Sequence, residues 1–398
     1  MDFLTGYLIP FLVVLTILVF VHELGHYWVA RRNGVRVEVF SIGFGPEIFG
    51  WTDRAETRWK ISWIPLGGYV RFHGDEDAIS RPARAGGDGT RDTDPDDGPA
   101  NDGGTAAPAA TGNAIDHSVA FHDKRLGQRA AIVAAGPLAN FFFAIFLLAA
   151  LFVVAGQPYT APEIGDVRPD SAAAAAGLQP GDRFLEIDGS KIERFEEIQQ
   201  IVRLHPEEAL VAVLSRDGER IEATLRPRMT EVTDRFGTVH RIGLLGVTSN
   251  GTTELVHRNP LEATWLAAKE TVSLTSMTLT AVGQIIAGSR TAEELGGPIR
   301  IAQMSGQMAQ TGWISVIYFM ALLSINLGLI NLFPVPMLDG GHLLFYGIEA
   351  LRGRPLGQRA QEYGFRIGFA LVLSLMLFAT WNDLVQLRVV EFVKALMT

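Results

Sequence analysis

His22 and His26 stand four residues apart in the string Val21-His22-Glu23-Leu24-Gly25-His26. On a helix that spacing puts both imidazoles on one face, where they can hold one Zn²⁺ between them. Glu23 lies beside them, where its carboxylate can take a proton from a water that such an ion polarises. A catalytic zinc of this kind needs a third protein ligand and keeps a fourth position open. The chain has no cysteine, which excludes thiolate ligands and disulfides and leaves His, Asp or Glu for that role. Asp339, in Pro334-Val335-Pro336-Met337-Leu338-Asp339-Gly340-Gly341, completes a two-His, one-carboxylate set. An aspartate before two glycines can also be a plain cap or turn, and the pairing with His-Glu-x-x-His favours the ligand reading. His342 is the weaker candidate, because Asp339 alone completes the set.

The elements that must position these residues are apolar and long. Four segments suffice to cross a bilayer core of about 30 Å: Leu8 to Ala30, Ala130 to Gly156, Trp313 to Phe333 and Phe365 to Trp381. The first begins after Asp2 rather than a basic stretch, has no small-x-small cleavage site and is followed by Arg31 and Arg32, so it reads as a retained span. The His-Glu-x-x-His string falls inside it. Ionisable residues are costly at membrane depth, and those found there usually mark function.

Basic residues cluster in two loops: Arg31, Arg32, Arg36, Lys124, Arg125 and Arg129 between the first two spans, and Arg352, Arg354 and Arg359 between the last two. The positive-inside tendency makes both loops cytoplasmic and puts the termini and residues 157–312 outside, in the periplasm of a cell with an inner membrane. On that orientation the first and third spans run the same way, so His22, His26 and Asp339 share a depth near the cytoplasmic end. A fifth apolar stretch, Thr271 to Ser289, is rich in Ser and Thr and would break the parity. It is expected to be an amphipathic helix on the outer interface.

The chain divides into eight segments. Residues 1–34 carry the first span. Residues 35–73 are expected to form a membrane-associated β region, with strand-like Val35–Phe40, Arg58–Trp63 and Tyr69–Phe72 broken by glycines and prolines. Its Phe44, Phe49, Trp51, Trp59 and Trp63 are unusual for a cytoplasmic loop. They fit either a hairpin dipping into the membrane beside the site or one resting on its surface. Residues 74–117 are acidic and rich in Gly, Pro and Ala, expected to be a disordered insert. His73, His117 and His122 flank it and are expected to be solvated. Residues 118–157 carry the second span, 158–230 a compact α+β domain, 231–312 an outer linker with the amphipathic helix, 313–345 the third span, and 346–398 the fourth with a C-terminal tail. The α+β domain has a turn Gly177-Leu178-Gln179-Pro180-Gly181-Asp182 between a short alanine-rich helix and a strand. This order is similar to that of bacterial PDZ domains, which bind peptide ends or strands by adding a strand to a sheet edge. The fold class is thus an α-helical polytopic membrane protein with four transmembrane helices, a membrane-associated β-hairpin and one periplasmic PDZ-like domain.

Pro334 and Pro336 cannot continue the third helix, so the chain there must be kinked or extended. Broken backbone at membrane depth is tolerated where it is buried in protein or lines a cavity. Asn331 and Asn326 lie just before it. Their amides, with unpaired backbone groups, can hold a substrate strand; helix–helix hydrogen bonding is the competing role, equally weighted for Asn326. In the second span, Asn140 within Ala135-Gly136-Pro137-Leu138-Ala139-Asn140 reads as packing glue rather than as a catalyst.

Taken together, the chain resembles the site-2 protease family of intramembrane zinc metalloproteases, most closely the bacterial regulator-of-sigma-E protease type. The resemblance rests on His22-Glu23-Leu24-Gly25-His26, on the Asn-x-x-Pro-x-Pro-x-Leu-Asp-Gly pattern of Asn331 to Gly340, on Ala135 to Asn140, and on a PDZ-like domain between spans two and three. It implies zinc held by His22, His26 and Asp339, Glu23 as general base and Asn331 as a substrate contact. It further implies a substrate class: single-pass membrane proteins such as anti-sigma factors, already shortened outside, and remnant signal peptides. Some relatives carry tandem PDZ domains where this chain has room for one, and the acidic insert has no counterpart role. A substrate helix hides its peptide bonds and must unwind, so helix-breaking residues in it favour cleavage.

The net charge of −9 is concentrated in the insert, and no basic stripe indicates nucleic acid. Two rival classes are weakened by the residues themselves. A catalytically dead PDZ-bearing scaffold would lack Glu23 or a ligand, and all are present. A transporter with broken helices would show paired inverted repeats, and only one span has the Asn/Pro break.

Overall fold

The computed structural model describes residues 4–74, 117–233, 239–251, 254–288 and 296–386. The insert expected over 74–117 therefore lies, but for its two end residues, outside the described residues. A π-helical turn, Leu4–Leu8, leads into α1 (Ile9–Arg32), β1 (Val37–Thr52), β2 (Arg58–Phe72) and α2 (Leu126–Val154). There follow β3 (Gln157–Tyr159), β4 (Ile164–Val167), α3 (Ala172–Ala175), β5 (Arg183–Ile187), β6 (Ser190–Lys191), α4 (Phe195–Leu204), β7 (Leu210–Arg216) and β8 (Glu219–Leu225). The chain continues through β9 (Arg228–Thr233), β10 (Val239–Leu244), β11 (Val247–Ser249) and β12 (Glu254–Val256). It ends in α5 (Pro260–Ile286), α6 (Pro298–Thr311), α7 (Trp313–Leu332), α8 (Asp339–Arg352) and α9 (Gln358–Gln386).

Among the described residues four helical stretches are long and apolar enough to cross a membrane: Gly6–Arg32, Leu126–Val154, Trp313–Leu332 and Arg359–Val385. They coincide with the four spans read from the sequence. Their outer faces expose large apolar side chains, among them Trp28, Phe142, Phe146, Phe369 and Leu377, where a water-soluble protein would carry charge. Arg31 and Arg32 close the last turn of α1, where cations oppose the helix dipole. α2 is the central helix. Its Ala144, Leu148, Leu151 and Phe152 pack against Ala321 and Ile325 of α7 and Ala263, Ala267 and Leu274 of α5, with alanines permitting close approach.

The β region is more continuous than its glycines and prolines indicate. Residues 39–42 of β1 pair with 68–71 on one side and 58–61 on the other, and 58–61 also pairs with 49–52. Gly43 and Gly45, at φ 87° and 90°, let β1 bend through its irregular register without leaving the sheet. Ile48, Phe49, Trp51, Trp63, Ile64 and Leu66 are exposed on this sheet.

The α+β domain has a four-stranded antiparallel sheet in the order β6-β5-β7-β8. Phe184, Ile187, Phe195, Ile198, Leu214 and Leu225 fill its core. The domain does not close at residue 230 as expected: β11 pairs with β4, Val247 opposite Val167. The expected interfacial helix is also different. α5 starts at Pro260, buries Ala263, Ala267, Thr271 and Leu274 along one face, and presents Glu270 to Arg194 of the α+β domain at 2.7 Å. It is wedged between that domain and the α2–α7 pair because its buried stripe recurs every three to four residues along a helix face.

Candidate active site

α1 carries His22 and His26 on one face, both buried. Their Nε2 atoms lie 3.2 Å apart. Each faces Asp339 Oδ2, at 3.2 Å from His22 and 3.5 Å from His26. Among the described residues this is the one group of three side chains placed to hold a metal ion.

Asp339 arrives from a segment that cannot be helical. α7 stops at Leu332, and Phe333 is extended, as the residue before a proline prefers to be. A tight turn follows, with the Leu338 N–H donating to the Val335 carbonyl at 3.0 Å and Met337 in the left-handed region at φ 92°. Asp339 then opens α8. Gly340 packs directly on the Phe333 and Leu332 carbonyls, where a Cβ would come within 2.2 Å and 2.3 Å. The Asp-Gly pair thus lets α8 begin against the end of α7.

α2 holds the histidines from behind. Pro137 sits inside it and cannot donate to the preceding turn. In that turn the Ile132 carbonyl lies 2.9 Å from His26 Nδ1 and accepts its proton. This bond fixes the tautomer and turns the Nε2 lone pair toward His22 and Asp339. Gly136 makes the room: a Cβ there would lie 2.2 Å from His26 Nε2. On His22, Nδ1 lies 3.2 Å from the Asn140 side-chain nitrogen. Asn140 is therefore more than packing glue.

Zinc fits these residues. Asp339 Oδ2 is buried and makes no hydrogen bond, although two ring nitrogens converge on it. With His26 Nδ1 donating to Ile132, its Nε2 lone pair faces the Asp339 carboxylate oxygen, an arrangement that is repulsive unless a cation lies between them. Ligand atoms about 2.0–2.1 Å from a tetrahedral zinc lie about 3.3 Å apart, close to the spacings found here.

Glu23 lines the same cavity, of about 540 Å³, together with Tyr69, Asn331 and Met337. Gly68 of β2 packs against its side chain, where a Cβ would come within 3.3 Å of Glu23 Cγ. That contact puts residues 68–70 of β2 next to Glu23. Asn331 is thus at the site, whereas Asn326 is not among the cavity's lining residues: its Oδ1 accepts from Thr278 Oγ of α5 at 3.3 Å. His342 also lines the cavity, its ring 5.4 Å from that of Phe365. Of the flanking histidines, His73 pairs with Glu38 and His117 with Asp123, at 2.9 Å and 2.8 Å, and His122 reaches the cavity wall. Gly136 and Asn140 were legible only as a small, polar patch. Their positions relative to Arg129 and Val133, at helical spacings of four, three and four, are the signal that all four share a face of α2.

The profile of Peptidase family M50 matches residues 10–375. A protein of Agrobacterium fabrum that carries the name zinc metalloprotease is 45% identical over 388 residues, covering 97% of each chain. Metalloprotease MmpA of Caulobacter vibrioides is 37% identical over 405 residues, covering 98% of each. The PDZ domain of an SdrC-like protein from Listeria monocytogenes aligns with 23% of this chain and 88% of its own at 22% identity, with a TM-score of 0.18.

Proposed function

From the premise that this chain belongs to peptidase family M50 and is a zinc metalloprotease, we propose that it cleaves single-pass membrane proteins within or next to the bilayer. The observation that carries this reading is the meeting of His22, His26 and Asp339 with Glu23 between helices apolar enough to span a membrane. Such a site is out of reach of an ordinary soluble protein loop and within reach of a transmembrane segment.

His22, His26 and Asp339 are the ligands in this proposal. Zinc, when bound, supplies Lewis acidity that polarises the scissile carbonyl and makes water acidic enough to lose a proton near neutral pH. Glu23 takes that proton and passes it to the leaving amine nitrogen. Gly68 of β2 packs against the Glu23 side chain. The free edge of residues 68–71, which lies along the cavity, offers backbone groups to an unwound substrate strand. Asn331 supplies a side-chain amide to the same strand.

The substrate class is the anti-sigma-factor type, with remnant signal peptides as a second class. The α+β domain, with the element order of a PDZ domain, binds a peptide end or strand. The protein resides in the inner membrane with the α+β domain and both termini periplasmic, an orientation supported by the arginines at both cytoplasmic loops.

The test is cleavage of a single-pass reporter substrate by purified protein in detergent. Wild type should cleave, while Glu23→Gln and chelator-treated protein should each lose a factor of about 10² or more. Activity surviving Glu23→Gln would overturn the assigned base. Cleavage confined to water-soluble substrates would overturn the membrane-substrate reading.

A further inference from the structure

Asp339 follows the irregular turn from α7, and Gly340 seats the first turn of α8 on the Leu332 and Phe333 carbonyls. The opposite end of α8 is tied to α2. Arg129 Nη2 donates to Glu349 Oε1 at 2.6 Å, with the two side chains only 15% and 17% exposed. The same guanidinium lies over the Tyr346 ring, 5.0 Å from its centroid.

These contacts fall on two facing stripes. On α8, Asp339, His342, Tyr346 and Glu349 recur at spacings of three, four and three, and all four line the active-site cavity. On α2, Arg129, Val133, Gly136 and Asn140 recur at four, three and four. From Asp339 to Glu349 is ten residues, about 15 Å of helix, and from Asn140 to Arg129 is eleven, about 16 Å. The distance from ligand to ion pair on α8 thus matches the distance from the His22 partner to the ion pair on α2. The helices run antiparallel with one contact at each end.

We propose that Arg129 and Glu349 are a positioning pair for the metal site: their short, buried hydrogen bond sets the register of α8 on α2, and through it the approach of Asp339 to His22 and His26. Arginine suits this role because its planar guanidinium bonds Glu349 through one nitrogen while its face lies on the Tyr346 ring, which fixes direction as well as charge. The proposal rests on the ligand assignment of His22, His26 and Asp339.

The test is zinc affinity, measured by chelator competition on the full chain in detergent, with the visible absorption of the cobalt-substituted protein as a report on ligand geometry. Arg129→Gln and Glu349→Gln should each weaken zinc binding about tenfold, the lower end of what outer-shell changes usually cost. Both should alter the cobalt bands, and kcat should fall with little change in KM. The milder Arg129→Lys should shift affinity less and in the same direction, and it keeps the test open should the neutral variants not fold. The exchange Arg129→Glu with Glu349→Arg should recover most of the affinity. Wild-type zinc affinity and cobalt bands in Arg129→Lys and in any neutral variant that folds would overturn the proposal, whatever happens to Tm. Wild-type protein that binds no zinc would overturn the ligand assignment itself, and this proposal with it.

Discussion

The Asn140 side chain meets His22 at Nδ1, the ring nitrogen opposite the one that faces Asp339, and its own Oδ1 is buried without a hydrogen-bond partner. A half-turn of the carboxamide puts that oxygen against Nδ1. The stranded acceptor then takes the Nδ1–H, and the lone pair of Nε2 is left for a metal. His26 receives the same treatment from the Ile132 carbonyl. Both histidines are thereby held by α2.

Asn140→Leu should therefore weaken zinc binding about 10- to 100-fold. Asn140→Asp, which keeps an acceptor at that place, should retain most of it. Chelator competition on the two variants decides; equal, wild-type affinity in both would return Asn140 to a packing role.

Gly136→Ala should be far more damaging than its one methyl group implies. The new Cβ would lie 2.2 Å from His26 Nε2, so the imidazole must swing away from the site. Zinc stoichiometry should fall well below one per chain. Gly127→Ala is the matched control, since a Cβ there meets nothing within 4 Å, and it should bind zinc like wild type.

The absence of cysteine makes orientation directly measurable. Lys191 in the α+β domain and Arg354 after α8 are both exposed. In intact cells with a permeabilised outer membrane, a membrane-impermeant thiol reagent should label Lys191→Cys and spare Arg354→Cys. The reverse pattern would invert the proposed topology.

The α+β domain should lose stability in acid through Asp182. Burial by itself raises that carboxyl, but two hydrogen bonds from Arg216, at 2.7 Å and 2.8 Å, and one from the Gln179 N–H hold it below the ordinary carboxylate range. A group whose folded pKa is lowered stabilises fully above its unfolded value, about 3.9, and loses that contribution as pH falls through the folded one. The protection factors of the β5 and β7 amides should therefore be steady above about pH 5 and fall below about pH 4. Asp182→Asn should cost about 2 kcal/mol at neutral pH and lose this site's share of the acid dependence.

Much of this architecture follows from local rules. A run of some twenty apolar residues makes a span, and the four read from the sequence recur as α1, α2, α7 and α9. The β region was harder to read. Gly43, Gly45 and Pro65 punctuate strands locally, yet pairing on both sides of residues 39–42 carries the sheet through them. The extent of α5 escaped for a related reason: its Ser and Thr dilute the apolar signal, while Ala263, Ala267 and Leu274 are buried only because α2 and α7 are there to cover them.

That His22 and His26 share a face was determined by the sequence alone, because a helix puts residues four apart on one side whatever surrounds it, and Glu23 adjoins them in the chain. Asp339 was legible as a candidate from its residue type and the prolines before it. Its meeting with His22 and His26, 317 and 313 positions earlier, belongs to the tertiary structure. So do the Asn140 contact, the space at Gly136 and the Arg129–Glu349 pair. Each depends on the register of one helix against another, and that register is set by packing between side chains that no local pattern relates.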